Sequence, residues 1–344
     1  MLQAVLQSAK TIEFHDVPTP EPGKGQVLMK VMRLGVCGSD IHVYHGKHKY
    51  ATLPLVQGHE GAGSVVKLGS GVKEFAIGDM VVLRPQHFCG ECFMCRQGRY
   101  NLCETYKVMG VLGGLTGMAS EYFAVDAAKL HKLPRTMTFD QGALVEPASV
   151  GVHAVKLGGK PKGSKVLVIG AGPIGNLAAQ AAKALGADKV MIADISDVRL
   201  DLAKECGIDY AINTMKTDLE TAILEHFGPN RADFILDCVG SPKTLEQAIR
   251  FARRGTNIVL VGNFYDLVPV ELALVQRREL NLIGHMNYLA EDYDDAIRFI
   301  AAGQVKVDAL ISKHFDLKDY TAAYQFIDDN VGGAVMKVLI DVNK

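Results

Sequence analysis

The stretch Lys165-Val-Leu-Val-Ile-Gly170-Ala-Gly172-Pro173-Ile174-Gly175 joins a short apolar run to a glycine-rich turn. The run has the length and composition of a buried strand, and a G-x-G-x-x-G pattern follows it directly. Gly170 permits a tight turn, Gly172 lets a pyrophosphate approach the backbone, and Gly175 lets the next helix pack closely on the strand. The N-terminus of that helix offers free N–H groups and a positive dipole end to phosphates. The stretch therefore predicts a dinucleotide-binding unit.

An acidic residue, Asp194, stands at the end of the next predicted strand, 19 residues after Gly175. A carboxylate at this place can accept hydrogen bonds from both adenosine ribose hydroxyls, and it repels a 2′-phosphate. Arg199 complicates the prediction, because an arginine near this site can accept a 2′-phosphate. The alternative is a glycine turn followed by an unrelated surface aspartate. The whole context favours NAD over NADP.

Strand-like and helix-like segments alternate around this motif. Alternation of this kind predicts a parallel sheet with right-handed crossovers, and six strands with the phosphate signature on the first predict a complete doubly wound sheet. We assign residues 151–284 to this domain. Its predicted elements are the strands Lys165–Ile169, Lys189–Ala193, Asp209–Ile212, Phe234–Val239, Asn257–Val261 and Leu280–Gly284, with helices near Pro173–Leu185 and Val198–Cys206.

Residues 1–150 differ from residues 151–284 in their sequence pattern, because short β-type runs alternate there with glycine turns such as Gly69-Ser70-Gly71. They predict a compact, mostly β domain. Residues 285–344 contain helix-like segments at 292–302 and 320–328 and a final strand at 335–340. We expect this tail to return to the first domain. The predicted fold class is therefore α/β with two domains, as a length of 344 residues suggests.

The composition narrows the class of protein. The formal net charge of -1 argues against a general nucleic-acid binder, which needs a basic excess. No apolar run approaches the roughly 20 residues that span a bilayer, and Met1–Lys10 lacks the pattern of a signal peptide. We expect a cytoplasmic protein with a small-molecule substrate and no membrane or nucleic-acid partner.

Four of the seven cysteines form the cluster Cys89, Cys92, Cys95 and Cys103. Such spacing can wrap one tetrahedral Zn²⁺, and four sulfur ligands leave no open position, so the site would be structural. A reducing compartment disfavours disulfides. An iron–sulfur cluster is a minor alternative. We name residues 89–103 the zinc lobe.

A second set of possible ligands is scattered along the first domain. It comprises Cys37, the pair His59-Glu60, and Glu146 before a proline. Each residue alone could have a purely structural role, either in packing or at the end of a helix or strand. Together they supply one sulfur, one nitrogen and carboxylate oxygens, a set that can hold zinc with an open position.

The sequence resembles the zinc-containing medium-chain dehydrogenases, and within them the sorbitol, threonine and galactitol-phosphate dehydrogenase branch. The resemblance covers essentially the whole chain and is carried by Gly58-His59-Glu60, the zinc lobe, Glu146-Pro147, and the glycine motif with Asp194. It implies a GroES-like catalytic domain, built from both chain ends, around an inserted Rossmann domain. It also implies a catalytic zinc at Cys37, His59 and Glu146, directly or through water, with Glu60 beside it and able to exchange onto the metal. The expected cofactors are NAD and two Zn²⁺ per chain.

The resemblance also assigns roles to individual residues. Ser39 would hydrogen-bond the reacting oxygen and His42 would pass its proton to solvent, with a surface imidazole as the alternative for His42. Tyr44, Glu146, Phe264 and Tyr288 are candidates for the substrate pocket, with ordinary packing as the alternative for the aromatic residues. The candidate cofactor contacts are Gly170, Gly172, Pro173, Ile174, Gly175, Asp194, Arg199, Val239, Val261, Gly262, Asn263, Met286 and Asn287.

These assignments predict NAD-linked oxidation of a secondary alcohol on a polyol or sugar-derived substrate. Glu146 stands where many alcohol dehydrogenases have cysteine, which indicates the polyol branch. The arginine that sorbitol dehydrogenases carry before a tyrosine is missing from His285-Met286-Asn287-Tyr288, and this string looks closer to the galactitol-phosphate branch. A polyol phosphate, threonine or butanediol is an alternative substrate. Lys47 and Lys49 beside His48 suggest either a solvated loop or contact with an anionic group.

Two other classes of protein are rivals to this prediction. A zinc-free quinone or enone reductase would lack the ligand set that is present here. A non-enzymatic binding module built on the zinc lobe would leave the second ligand set and Asp194 unexplained. The resemblance suggests a homotetramer, with a dimer as the next possibility.

Overall fold

The computed structural model describes residues 1–330 and 333–344. The chain divides into two compact units. The first contains residues 1–146, 311–330 and 337–344, and the second contains residues 147–310 and 333–336.

The strands, numbered in chain order, form the sheets of both units. They are β1 (Leu2–Ser8), β2 (Thr11–Asp16), β3 (Gln26–Gly35), β4 (Glu60–Leu68), β5 (Met80–Leu83), β6 (Gln86–His87), β7 (Lys107–Val108), β8 (Tyr122–Asp126), β9 (Leu130–Lys132), β10 (Lys165–Ile169), β11 (Lys189–Asp194), β12 (Tyr210–Asn213), β13 (Phe234–Asp237), β14 (Asn257–Leu260), β15 (Asn281–Gly284), β16 (Ile311–Asp316) and β17 (Lys337–Asp341).

The α-helices are mostly in the second unit. They are α1 (Gly38–Tyr44), α2 (Phe93–Arg96), α3 (Phe139–Ala143), α4 (Val145–Gly158), α5 (Pro173–Ala184), α6 (Asp197–Glu205), α7 (Leu219–Phe227), α8 (Pro242–Phe251), α9 (Leu272–Arg278), α10 (Ala290–Ala301) and α11 (Tyr320–Asp328).

The second unit is built on a six-stranded parallel sheet in the order β12-β11-β10-β13-β14-β15. The first strand of this unit, β10, is central, and the order of strands reverses between β10 and β13. This is the doubly wound order predicted from the sequence, and ligands bind such sheets at the carboxyl ends of the strands near the reversal. The strand Lys165–Ile169 is almost wholly apolar and buried because helices cover both faces of the sheet.

The first unit is mostly β. Its main sheet follows the path β16-β17-β3-β4-β5-β9, with β8 also paired to β3. Strand β17, near the end of the chain, pairs antiparallel with β3, so both ends of the chain build this unit, as predicted. Alternate residues Val27, Met29 and Val31 of β3 are completely buried, which is the period-2 pattern of a sheet face against a core.

The domain boundaries differ from those predicted. The second unit begins at Pro147 and continues to Leu310, so residues 285–310 belong to it and do not return to the first domain. The reason is the amphipathic helix α10, which buries Tyr293, Ala296 and Ile300 and contacts α5 of the same unit. Only from β16 onward does the chain rejoin the β unit. Both predicted domain types, and the α/β fold class, are confirmed.

Candidate active site

Three predicted zinc ligands converge in the first unit. Cys37 lies just before helix α1, while His59 and Glu60 lie at the start of β4. One ligand atom from each of these residues lies within 4.8 Å of the others. His59 and Glu60 are buried, with 4% and 1% of their surface exposed. Sulfur, nitrogen and carboxylate oxygen in such a cluster form a donor set that fits zinc.

Asp40 connects two of these ligands. Its Oδ2 atom accepts a hydrogen bond from the backbone N–H of Cys37 at 3.0 Å, and its Oδ1 atom lies 3.4 Å from Nδ1 of His59. This contact leaves Nε2 of His59 available to a metal ion. Burial lowers the pKa of His59, but Asp40 outweighs it and raises that pKa well above the usual value. A carboxylate behind a histidine in this way orients the ring and makes it a better metal ligand.

Glu60 is held by a lysine from the far end of the chain. The ammonium group of Lys337, on β17, donates to the Glu60 carboxylate and to the carbonyl of Val36. Burial lowers the pKa of Lys337, and the charge of Glu60 more than compensates and raises it. Gly35 makes room for the carboxylate, since a Cβ atom there would lie 2.1 Å from Oε2 of Glu60. The site thus contains a fixed cation beside the cluster.

Glu146 lies outside this three-residue cluster among the described residues. It is buried in the first turn of α4, with 7% of its surface exposed, and its charge acts on Lys337. Direct ligation of zinc by Glu146 therefore remains a prediction.

Helix α1 carries the predicted catalytic residues Ser39 and His42. They are three positions apart, so they share one face of the helix. Both side chains are partly exposed, and burial together with the charges of Lys47 and His45 lowers the pKa of His42. A neutral imidazole at neutral pH can accept a proton.

Tyr44, at the end of α1, is packed rather than open. Its ring stacks on Tyr324 with centroids 4.1 Å apart, and 4% of its surface is exposed. The hydroxyl of Tyr324 donates to Gln57, whose amide donates to the carbonyl of Asp40. This geometry matches the packing alternative for Tyr44. The contacts of Tyr324 and Gln57 also hold helix α1 in place.

The zinc lobe brings its four cysteines together. Their sulfur atoms lie within 4.8 Å of one another, with Cys89 4.0 Å from Cys95 and 3.6 Å from Cys103. A tetrahedral zinc with sulfur at about 2.3 Å requires sulfur atoms roughly 3.8 Å apart. Burial raises the pKa of Cys103, but hydrogen bonds led by that from the Cys89 N–H prevail and lower it to about 6, which favours the thiolate. The lobe therefore fits the predicted structural zinc.

The glycine loop of the second unit has the expected form. Gly170 has a φ of +100°, and a Cβ atom on Gly175 would lie 1.8 Å from the carbonyl oxygen of Gly170. A Cβ atom on Gly172 would meet nothing within 4 Å, so open space adjoins the loop at that residue. Pro173 and Ile174 begin helix α5, whose N-terminus faces this loop.

Asp194 ends β11 and contacts the same loop. Its Oδ2 atom accepts a hydrogen bond from the backbone N–H of Ala171 at 2.6 Å, while Oδ1 accepts from Ile195 and Ser196. The predicted ribose ligand thus also fixes the position of the glycine loop. Arg199 is engaged elsewhere, because its Nε donates to the carbonyl of Gly333 at 2.8 Å.

The remaining cofactor candidates lie on loops that follow strands β13, β14 and β15. Val239 and Met286 are 47% and 38% exposed. The backbones of Gly240 and Gly262 are in such close contact that a Cβ atom on Gly262 would lie 2.3 Å from the N of Gly240. These loops belong to the carboxyl ends of the strands, where a dinucleotide binds. Val261 is partly buried, Asn263 is exposed, and Asn287 has a φ of +47°.

Two candidates for the substrate pocket occupy packed positions. Tyr288 is completely buried, with its ring centroid 5.1 Å from that of Tyr293. Phe264 is partly buried against the apolar core of the second unit. Both environments are the packing alternative stated above. Their contact with substrate remains a prediction.

Sequence reasoning missed three residues that shape these sites. Asp40 could have been found, because an acidic residue three positions after a helix cap commonly caps that helix. Lys337 and Gln57 carry no local signal. They reach the site through strand pairing and through packing between distant segments.

No helix in the described part of the chain is both long and apolar enough to cross a membrane.

Comparison with known proteins agrees with this geometry. Residues 23–135 match the alcohol dehydrogenase GroES-like domain, and residues 173–302 match the zinc-binding dehydrogenase family. The chain is 36% identical to a 2-dehydro-3-deoxy-L-galactonate 5-dehydrogenase of Pseudoalteromonas atlantica, over 98% of this chain and 96% of the relative. It is 33% identical to the sorbitol dehydrogenase of Homo sapiens, over 97% of this chain and 95% of that relative.

A solved structure extends the likeness to three dimensions. The galactitol-1-phosphate dehydrogenase of Escherichia coli superposes with a TM-score of 0.91 at 30% identity, and the match covers 99% of this chain and 100% of that one. Fold, ligand clusters and relatives agree along nearly the whole length. The chain belongs to the zinc-dependent medium-chain alcohol dehydrogenases and is an oxidoreductase.

Proposed function

We propose that this enzyme oxidises a secondary alcohol of a polyol or sugar-derived substrate with NAD, and catalyses the reverse ketone reduction. The observation that carries the proposal is the convergence of Cys37, His59 and Glu60 next to a helix that bears Ser39 and His42. Three protein ligands of this kind are typical of a catalytic zinc site, whereas a structural site has four. The sugar and polyol substrates named for the relatives support the same substrate class.

Cys37, His59 and Glu60 would hold the catalytic zinc, with Glu146 as a further candidate. Bound zinc supplies a Lewis acid that lowers the pKa of a substrate hydroxyl toward neutral, and bound NAD supplies the hydride acceptor. Asp40 keeps the His59 ring oriented, and Lys337 restrains Glu60. Cys89, Cys92, Cys95 and Cys103 would hold the second, structural zinc.

The protein itself handles the proton of the substrate hydroxyl. Ser39 accepts a hydrogen bond from this hydroxyl, and neutral His42, on the same face of α1, takes the proton onward to solvent. Burial, together with the charges of Lys47 and His45, lowers the pKa of His42, which favours the neutral imidazole that can accept a proton at each turnover.

NAD would bind the glycine loop of the second unit. Gly170, Gly172 and Gly175 admit the pyrophosphate, and the N–H groups that begin α5 bind its oxygen atoms. Asp194 would accept hydrogen bonds from the adenosine ribose and disfavour the 2′-phosphate of NADP. We further propose that the enzyme acts in the cytoplasm as a homotetramer, with a dimer as the alternative.

The test is a substrate screen of the purified enzyme, followed by the absorbance of reduced NAD. The panel contains hexitols, their 1-phosphates, sugar acids, threonine, 2,3-butanediol, ethanol and 2-propanol. Polyols or their derivatives should exceed the monohydric alcohols in kcat/KM by at least about 100-fold, because a site built for neighbouring hydroxyls leaves buried polar groups unpaired without them. Equal activity with 2-propanol would refute the polyol assignment and leave the dehydrogenase assignment intact.

A further inference from the structure

A cationic loop follows helix α1. Residues 45–50 read His-Gly-Lys-His-Lys-Tyr, and we call them the basic loop. Between Ser39 and Gln57 the only acidic residue is Asp40, which is completely buried and already bound to the Cys37 N–H and close to His59. The loop therefore has no acidic neighbour in the sequence to neutralise its two lysines, and the acidic residue that reaches it from elsewhere, Asp328, pairs with His45.

The basic loop lies against the proposed catalytic helix. The backbone N–H of Lys47 donates to the carbonyl of His42 at 2.8 Å, and the charge of Lys47 contributes to the lowered pKa of His42. His48 interacts electrostatically with both His42 and Asp40. The loop thus adjoins His42 and interacts electrostatically with Asp40, which contacts Cys37 and His59.

The donors of this loop are available to a ligand. Among the described residues, neither Lys47 nor Lys49 forms an ion pair, and both side chains are exposed. The Nδ1 atom of His48 is buried and has no hydrogen-bond partner in the described part of the chain. His45, by contrast, is paired with Asp328 at 2.9 Å. Two ammonium groups without an acidic partner, of which that of Lys49 lies 5.5 Å from the centroid of the Tyr50 ring, and one unsatisfied imidazole nitrogen supply donors suited to an anion.

We propose that the basic loop is an anion subsite and that the natural substrate is a sugar derivative with a carboxylate or phosphate group. This proposal rests on the proposed function and specifies its substrate class. Lys47 and Lys49 would bind the anionic end while the hydroxyl to be oxidised is held at the zinc cluster. Charge pairing of this kind raises both affinity and the rate of encounter, and it is weakened by salt.

A matched trio of substrates tests the proposal and separates the two anions. Galactitol, galactonate and galactitol 1-phosphate have the same carbon skeleton and differ in the group at one end. We expect one of the two anions to exceed galactitol in kcat/KM by at least about 10-fold, with the advantage decreasing as salt is added. The anion with the higher kcat/KM shows whether the natural substrate carries a carboxylate or a phosphate group.

The variants Lys47→Gln and Lys49→Gln assign the effect to the loop. In at least one of them the ratio of kcat/KM for the better anion to that for galactitol should fall about 10-fold, mainly through KM, because the contact is distant from the bond that changes. Lys24→Gln is the control. Lys24 is exposed and precedes the ten-residue strand β3, whose other end leads to Cys37, about 30 Å away. This variant should keep the ratio of the unmodified enzyme.

Calorimetric titration of galactonate and of galactitol 1-phosphate into the enzyme with NADH separates the two proposals. If Lys47→Gln or Lys49→Gln weakens the binding of an anion, the subsite is supported, even where none of the three compounds is oxidised. Failure of the enzyme to oxidise any of the three compounds would count against the proposed function and not against the subsite. Oxidation of galactitol at least as efficient as that of both anions would overturn the subsite and keep the proposed function. An anion preference that survives both substitutions would also overturn it.

Discussion

The ammonium group of Lys337 and the carboxylate of Glu60 form an ion pair with only 4% and 1% of the two side chains exposed. Lys337 begins the last strand of the chain, and Glu60 directly follows a zinc-ligand candidate. The pair therefore connects the carboxyl-terminal strand to the cluster of zinc-ligand candidates. A buried pair of this kind is expensive to break, because the remaining charge has no solvent to stabilise it.

In protein stripped of zinc, Lys337→Met should lower the free energy of unfolding by about 3–5 kcal/mol, because Glu60 is then charged and buried without a partner. Urea unfolding at neutral pH measures the change. The double variant Glu60→Gln/Lys337→Met removes both charges and should recover part of the loss. If the double variant is as unstable as the sum of the two single variants, the two residues are not coupled and this interpretation of the pair is wrong.

The two metal clusters should respond differently to removal of one cysteine. Elemental analysis of the freshly prepared enzyme should find two zinc ions per chain, and both Cys95→Ser and Cys37→Ser should lose one. Cys95→Ser should also lower the thermal unfolding temperature markedly, because a structural zinc contributes folding free energy directly. Cys37→Ser should abolish turnover with a smaller effect on unfolding. A single zinc in the unmodified enzyme would contradict the assignment.

Asp194→Ala should narrow the preference for NAD over NADP, because the carboxylate that repels a 2′-phosphate is gone. It should also raise KM for both cofactors, since Asp194 holds the backbone N–H of Ala171 in the glycine loop. Asp201→Ala is the matched control, because Asp201 is exposed on helix α6 and pairs with Lys204 at the surface, and it should leave the preference and both KM values unchanged. Steady-state kinetics with both cofactors give the comparison. A preference for NADP in the unmodified enzyme would refute this interpretation of Asp194.

His42 should set the acid limb of the pH–rate profile. Burial, Lys47 and His45 lower its pKa below 6.5, so the imidazole is neutral at pH 7 and becomes protonated as the pH falls through that lower value. Proton transfer then fails and kcat decreases. His42→Gln should reduce kcat by about 100-fold and remove this limb, while His87→Gln, at an exposed histidine, should change neither. An unaltered profile in His42→Gln would exclude the relay.

His285 should make the protein less stable in mild acid. Burial in the second unit, with a smaller contribution from the nearby charge of His153, lowers the pKa of His285 to about 4. Between about pH 6.5 and pH 4 the unfolded chain binds a proton here that the folded chain does not, so the free energy of unfolding falls as pH falls, by up to about 3 kcal/mol. His285→Phe should flatten this dependence. Urea unfolding across the pH range tests it, and equal slopes for both proteins would contradict the prediction.

Local patterns in the sequence were sufficient to predict the glycine loop, the zinc lobe and the type of each domain. The run before Gly170 predicts a buried strand because its apolar residues have no polar face to expose, and the three glycines specify the loop that follows it. The spacing of the four cysteines predicts their convergence because a short loop can bring them together without help from the rest of the fold. The type of each domain follows from such local signals.

Other features depend on segments that are far apart in the chain. The position of Lys337 beside Glu60 follows from the pairing of β17 with β3 and of β3 with β4, and no local pattern specifies those partners. The contact of Asp40 with His59 depends on how α1 is placed against the start of β4. The domain boundary was wrong at residues 285–310 because packing of the apolar face of α10 on α5 decides where that helix belongs. Sequence alone thus determined the two domain types and nearly all the ligand candidates, whereas the charges and hydrogen bonds around them were decided by tertiary contacts, because burial and pairing exist only once distant segments are packed together.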